Sequence, residues 1–166
     1  MIKESKVFTV LMWPASGNYI VVLEEIPGVR LLLIWIGKSE AEAIALKLQN
    51  AELPRPLTHD LLKTVVDRIG YKVDRVVIND LRNDTYYAKI VLRNDGSVIE
   101  IDSRPSDAIA LAVRSDSRIY IDEAVLEKGA TVNKPITQDE VDGFKEKLKD
   151  VKPEDFFPGG EGKEAL

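Results

Sequence analysis

The run Val29-Arg30-Leu31-Leu32-Leu33-Ile34-Trp35-Ile36 is apolar at every position but one, with Pro27-Gly28 before it and Gly37 after it. A half-buried strand alternates apolar and polar residues, and this run does not, so it suits a strand covered on both faces. The chain is thereby committed to a sheet with material packed above and below it. The run itself is expected at the sheet's centre.

The neighbouring segments supply that material. Lys6 to Trp13 and Asn18 to Glu25 read as strands, parted by a break at Pro14-Ala15-Ser16-Gly17. Ser39 and Glu42 have the spacing of a capping box, which predicts a helix from there through Leu48. Pro54-Arg55-Pro56 stops it, and Thr58 is placed to cap a second helix whose Leu61, Leu62, Val65, Val66 and Ile69 form one apolar stripe ending at Gly70. Val73 to Asn79 is a further strand. Thr85 to Leu92 and Ser97 to Ile101 make a hairpin through Asn94-Asp95-Gly96, while Asp80, Asp84 and Asp95 read as turn residues. A helix from Pro105 to Arg114, with Asp102 or Ser103 as its cap, leads to the short strand Ile119-Tyr120-Ile121. One or two helical turns from Asp122 to Lys128 end at Gly129. Thr137 and Glu140 form a second capping box, opening a helix with Val141, Phe144 and Leu148 on one face and a stop near Pro153. The class is α+β, a mixed and mainly antiparallel sheet with helices packed on it. Residues 1–134 are expected to form one domain, 135–157 an amphipathic helix packed on it, and 158–166 a frayed acidic tail.

Composition narrows the chemistry. The 166 residues contain no cysteine and one histidine, which excludes disulfides, thiolate metal sites, a cysteine nucleophile and a His-rich metal site. Net charge is −5, unfavourable for general nucleic-acid binding, which draws on phosphate neutralisation. Residues 135–166 hold five lysines and nine acids, so residues 1–134 carry only −1. A local basic face is allowed there. The first residues lack a signal-peptide core and no run approaches the roughly 20 apolar residues of a membrane span, so a cytoplasmic protein without membrane contact is expected.

The sequence also echoes itself. A shift of 65 residues lays Ile34, Ile36 and Ala43-Ile44-Ala45-Leu46 on Ile99, Ile101 and Ala108-Ile109-Ala110-Leu111, and Glu42 on Asp107. Two hairpin-loop-helix units related by a pseudo-two-fold would bring their helix starts together; two separate solutions to one packing problem would explain the same echo.

Polar residues concentrate at those helix starts. Arg55, Thr58, His59 and Asp60 are presented by a proline-stiffened connector and a first helical turn, where free amides, the helix dipole and an arginine fork suit a phosphate. The alternative gives Thr58 and Asp60 to capping and leaves His59 structural. Asp102 and Asp107 are oxygen ligands of the kind Mg²⁺ or Mn²⁺ takes, with Arg104 as a phosphate contact and Ser106 beside them, or else all are cap residues. Glu40 and Glu42 pose the same choice, with capping the simpler role for Glu42. Trp13, Trp35, Tyr86 and Tyr87 have faces on which bases stack, although core packing suits those in apolar runs.

Four blocks taken together resemble the signature of the bifunctional nuclease family: Ile34-Trp35-Ile36-Gly37, Glu40 to Ala45, Arg55 to Leu61, and Asp102 to Ala110. The resemblance runs from about Val7 to Gly129. It implies cleavage of DNA and RNA, with His59, Asp60 and Asp107 as catalytic candidates and Arg55, Thr58, Arg104 and Ser106 as substrate contacts. Asp102, Asp107, Glu42 and Glu40 are then candidates for holding Mg²⁺ or Mn²⁺. Two other functions fit the same residues: a noncatalytic module for RNA, a nucleotide or another anion, and a homo-oligomeric regulatory protein. A homodimer is expected in any case, through the apolar strand at Leu31 to Ile36. The nuclease reading requires that His59 and Asp107 meet.

Overall fold

Alternating burial explains the sheet. In the computed structural model, which describes residues 1–13 and 16–156, eight strands form one sheet in the order β6-β5-β4-β7-β1-β2-β3-β8. They are β1 Ile2–Trp13, β2 Asn18–Ile26, β3 Arg30–Trp35, β4 Lys72–Arg82, β5 Thr85–Arg93, β6 Val98–Ser103, β7 Arg118–Asp122 and β8 Thr131–Asn133. Every pairing is antiparallel except β4 with β7. The expected strand break at Pro14-Ala15, the Trp13 side chain and the tail from Pro158 lie outside the described residues.

Val21, Leu23, Leu32 and Ile34 turn to one face of the sheet, Ile20, Val22, Leu31 and Leu33 to the other. The first face carries α1 Lys38–Leu48, α2 Thr58–Arg68, α3 Pro105–Ser115 and α4 Glu123–Lys128; the second carries α5 Gln138–Leu148, whose Phe144 and Leu148 pack there. Leu31 to Ile34 are thus covered on both sides, as the run's lack of alternation requires, while Val29 before the strand stays exposed. It is not the centre, however, because β8 alone separates β3 from one edge and β7 holds the middle. The three-residue β8 has too little pattern to be read from sequence.

The sheet halves are joined at Gly129-Ala130. The Ala130 amide donates to Tyr86 Oη at 2.9 Å on β5, while its carbonyl accepts from the Leu33 amide at 2.9 Å on β3. A Cβ on Gly129 would fall 2.7 Å from the Val125 carbonyl oxygen and 2.9 Å from Tyr86 Oη, so the close approach requires glycine. Burial raises the Tyr86 hydroxyl to about 12, keeping it a neutral partner.

Three capping expectations are corrected. Gly37, not Ser39, precedes α1; Leu57 precedes α2, with Thr58 its first helical residue; Arg104 precedes α3, with Asp102 and Ser103 inside β6. None of the three helices has a side-chain cap at that position. The capping box of α5 forms as read, with the Glu140 amide donating to Thr137 Oγ1 at 3.2 Å and the Thr137 amide to Glu140 Oε2 at 2.9 Å. Asp80 lies inside β4 beside a bulge rather than in a turn, while Asn83 and Asp84 take positive φ at the β4–β5 turn. The α2 stripe is the largest departure: Val66 is buried, whereas Leu61, Leu62, Val65 and Ile69 are 37–63% exposed.

The internal echo is real in topology, but its register differs. From β7 outward the halves run β4-β5-β6 and β1-β2-β3, with β4 parallel and β1 antiparallel to β7. That is the relation a two-fold normal to the sheet produces. Superimposing the helix starts at Gly37 and Arg104 sets the offset at 67 residues (104 less 37), so Glu40 rather than Glu42 corresponds to Asp107. Ala41, Ala43 and Ala45 then match Ala108, Ala110 and Ala112, the small buried residues by which α1 and α3 pack together. Counting identities favoured 65, because Ala-Ile-Ala-Leu repeats almost on itself two residues along.

Candidate active site

Each of α1, α2 and α3 has an acid as its third residue: Glu40, Asp60 and Asp107. An acid there complements the positive helix end, and α3, which packs against both α1 and α2, brings the three ends together. His59, the second residue of α2, faces the start of α3, and its Nε2 lies 2.9 Å from Asp107 Oδ1. Arg104 Nε donates to Asp107 Oδ2 at 2.7 Å, and Nη2 of the same guanidinium donates to Glu40 Oε1 at 3.0 Å. An unbroken hydrogen-bonded chain, Glu40–Arg104–Asp107–His59, therefore ties three helices. The two stretches 48 residues apart meet.

The electrostatics follow from those contacts. The His59 bond, with Arg104 added and against the opposing effect of desolvation, lowers the Asp107 carboxyl from its ordinary 3.8 to about 2. Asp107 is therefore ionised at neutral pH. With neutral His59, two carboxylates face one guanidinium and the chain of four carries one negative charge; a proton on His59 cancels it. His59 is 8% exposed, and among the described residues its one side-chain hydrogen bond is that of Nε2 with Asp107.

The chain stands at one end of a hollow of about 800 Å³ between α2 and the sheet, lined by His59, Thr58, Asp107, Arg104, Ser103 and Asp102 at its polar end. Leu61, Leu62, Val65, Ile90, Leu92 and Ile101 continue it as an apolar groove. Among the described residues no three His, Cys, Asp or Glu side chains converge as a metal cage.

The other sequence candidates are distributed as follows. Asp60 turns away from the hollow: its carboxylate accepts from the Leu57 amide at 2.8 Å and from Arg114 Nε at 2.7 Å. Desolvation pushes its pKa up, but those two bonds outweigh it and the carboxyl is lowered. Arg55 is exposed on the connector and lies outside the lining of the hollow. Glu42 is half exposed and faces Lys38 at 3.9 Å on its own helix, so it does not join Glu40. Ser106 is 1% exposed, and its Oγ is buried without a hydrogen-bond partner. Of the aromatics, Trp35 packs on Phe156 with ring centres 5.8 Å apart, Tyr86 is buried, and Tyr87 lies under the Arg82 guanidinium.

Arg114 was missed. Its side chain is 4% exposed. It holds Asp60 through Nε, the Ala110 carbonyl through Nη1 and the Ala43 carbonyl through Nη2, fixing α2 against α1 and α3 from below the site. At the end of its helix it looks like an ordinary complement to the helix dipole, and none of its distant partners has a signature in sequence.

The comparisons agree with the blocks. Residues 21–134 match the family model described as the bifunctional nuclease domain. An uncharacterized protein of Mycobacterium tuberculosis is 41% identical over 162 residues, 92% of this chain and 97% of that one. A protein of Oryza sativa subsp. indica named bifunctional nuclease 1 is 30% identical over 115 residues, 67% of this chain and 35% of that protein. Bifunctional nuclease 1 of Arabidopsis thaliana is 31% identical over 107 residues, 62% of this chain and 33% of that protein. The chain thus matches about a third of the plant proteins' length. No helix among the described residues is long and apolar enough to cross a membrane.

Proposed function

The chain belongs to the bifunctional nuclease domain family, and on that premise we propose that it is a phosphodiesterase acting on DNA and RNA, with the His59–Asp107 pair as its reactive centre. The observation that carries the reading is the 2.9 Å contact between that imidazole and that carboxylate, at the polar end of an open hollow. Asp107 fixes the ring and stabilises the imidazolium, while His59 takes a proton from water or gives one to the leaving oxygen through Nδ1. Arg104, held by two carboxylates, faces the same end and balances charge on the phosphate. The converging starts of α1, α2 and α3 add positive dipole ends there.

Mg²⁺ or Mn²⁺ fits the surplus negative charge of this cluster. Asp107 would hold the ion with substrate oxygens and water, since Mg²⁺ is commonly bound by one or two carboxylates plus phosphate; Asp102, the strand partner of Lys89, falls on the sheet face opposite Ile101 and does not join it. Glu40 stands behind Arg104. When bound, the ion would polarise the phosphoryl group.

The test is a metal-scanned cleavage assay with single-stranded DNA and RNA, using protein from a nuclease-deficient host. His59→Ala should lower cleavage about 10²-fold or more, the usual size of a general acid–base contribution. Full retention removes the imidazole from the chemistry. Binding of the oligonucleotides without turnover under every metal would favour the noncatalytic module instead.

A further inference from the structure

Among the described residues, exposed large aliphatic side chains concentrate at two elements: Leu61, Leu62 and Val65 on α2 with Ile69 just after it, and Ile99 and Ile101 on β6, which lie opposite Leu92 and Ile90 on the groove's face of the sheet. β6 ends the sheet, so the backbone groups on its outer side have no strand partner among the described residues. Edge strands are ordinarily blunted by charge, proline or a covering segment; β6, Val-Ile-Glu-Ile-Asp-Ser, has no lysine or proline, and its two acids, Glu100 and Asp102, fall on the sheet face away from the groove, Glu100 paired with Lys89. Between α2 and β6 runs the apolar groove, floored by Ile90, Leu92 and Leu111.

We propose that this face is the interface of a two-fold dimer, its occupant a second copy of the chain. A symmetric contact requires one patch to carry both halves of the fit. Here Leu61, Val65 and Ile69, one turn apart, form a ridge beside the groove, and the free edge of β6 is able to pair antiparallel with its own copy. The exposed aliphatic surface of these six side chains is on the order of 500 Å², in the upper range of a monomer's largest patch, and the free β6 edge adds backbone to it towards the roughly 800 Å² per partner of a standard interface. Charge argues against a nucleic acid along the groove. Beyond the polar end where Arg104 stands, its lining of Leu61, Leu62, Val65, Ile90, Leu92 and Ile101 offers no cation, whereas a polyanion lying along it calls for several. The seat expected at Leu31 to Ile36 does not exist, because Leu31 to Ile34 and Ile36 are covered within one chain.

The inference is independent of the nuclease reading but bears on it: a second copy on the groove roofs the hollow beside His59 and Asp107, leaving its polar end as the entrance. Sedimentation equilibrium of the full chain tests it. The parent should have twice the 18.6 kDa chain mass, and Val65→Glu a single chain mass with unchanged circular dichroism. Ile136→Glu, at a residue 95% exposed elsewhere, should remain a dimer. Should Val65→Glu not fold, hydrogen exchange on the parent decides: β6 amides should slow as concentration rises. A parent that is a single chain at every concentration, a dimer that Val65→Glu leaves intact, or β6 exchange independent of concentration would overturn the proposal. So would a monomeric parent whose groove is protected only by a single-stranded oligonucleotide.

Discussion

At the scale of single residues, the account rests on how a carboxylate of ordinary type is kept ionised in a half-buried place. Asp107 is lowered to about 2 by His59 and then Arg104. A folded value below the unfolded one stabilises fully above the ordinary 3.8 and loses that contribution as pH falls through about 2. Urea unfolding of the parent and Asp107→Asn should therefore converge by about 1–2 kcal/mol between about pH 5 and pH 2, discounting for the carboxylate's partial exposure. A gap independent of pH would mean that the carboxylate gains nothing from its neighbours. Asp60 belongs to the frame instead: Asp60→Ala strands the buried Arg114 and should cost about 2–3 kcal/mol in the same measurement. His59, Arg104 and Asp107 were legible in sequence as polar residues crowded at helix starts. Arg114 was not, because a buried arginine is distinguished only by partners 54 and 71 positions away.

At the scale of elements, β1 to β7 and all five helices could be read from apolar runs, glycines and prolines, since each is set by local pattern. The caps of α1, α2 and α3 could not, unlike the Thr137–Glu140 box of α5. Gly37, Leu57 and Arg104 occupy cap positions where side-chain preference would place serine, threonine or aspartate. In α2 and α3 the acid three positions on reaches back to the cap residue, Asp60 to the Leu57 amide and Asp107 to the Arg104 guanidinium, and the Arg104–Glu40 bond adds a tertiary tie. The 67-residue relation between the two halves gives a direct contrast. Glu40→Gln should weaken cleavage by loosening Arg104, while Glu42→Gln, half exposed and facing only Lys38, should leave it unchanged. The reverse order in a steady-state assay would restore the 65-residue register and undo the assignment of Glu40.

At the scale of the whole molecule, one sheet and its pseudo-two-fold place the starts of α2 and α3 at one end of an apolar groove, with Glu40 of α1 reaching them through Arg104. The face left uncovered by α2 and β6 is where the sequence pattern misleads: a regular apolar stripe on a helix ordinarily faces the core of its own chain. What the fold contributes to chemistry is the meeting of His59 with Asp107 beside that groove, and cleavage by the parent and by Asp107→Asn, on one labelled oligonucleotide across Mg²⁺, Mn²⁺ and chelator, addresses it most directly. A parent that cuts, and a folded Asp107→Asn protein slowed about 10²-fold or more, is the predicted result. Equal cutting by both proteins would contradict it and place the chemistry elsewhere.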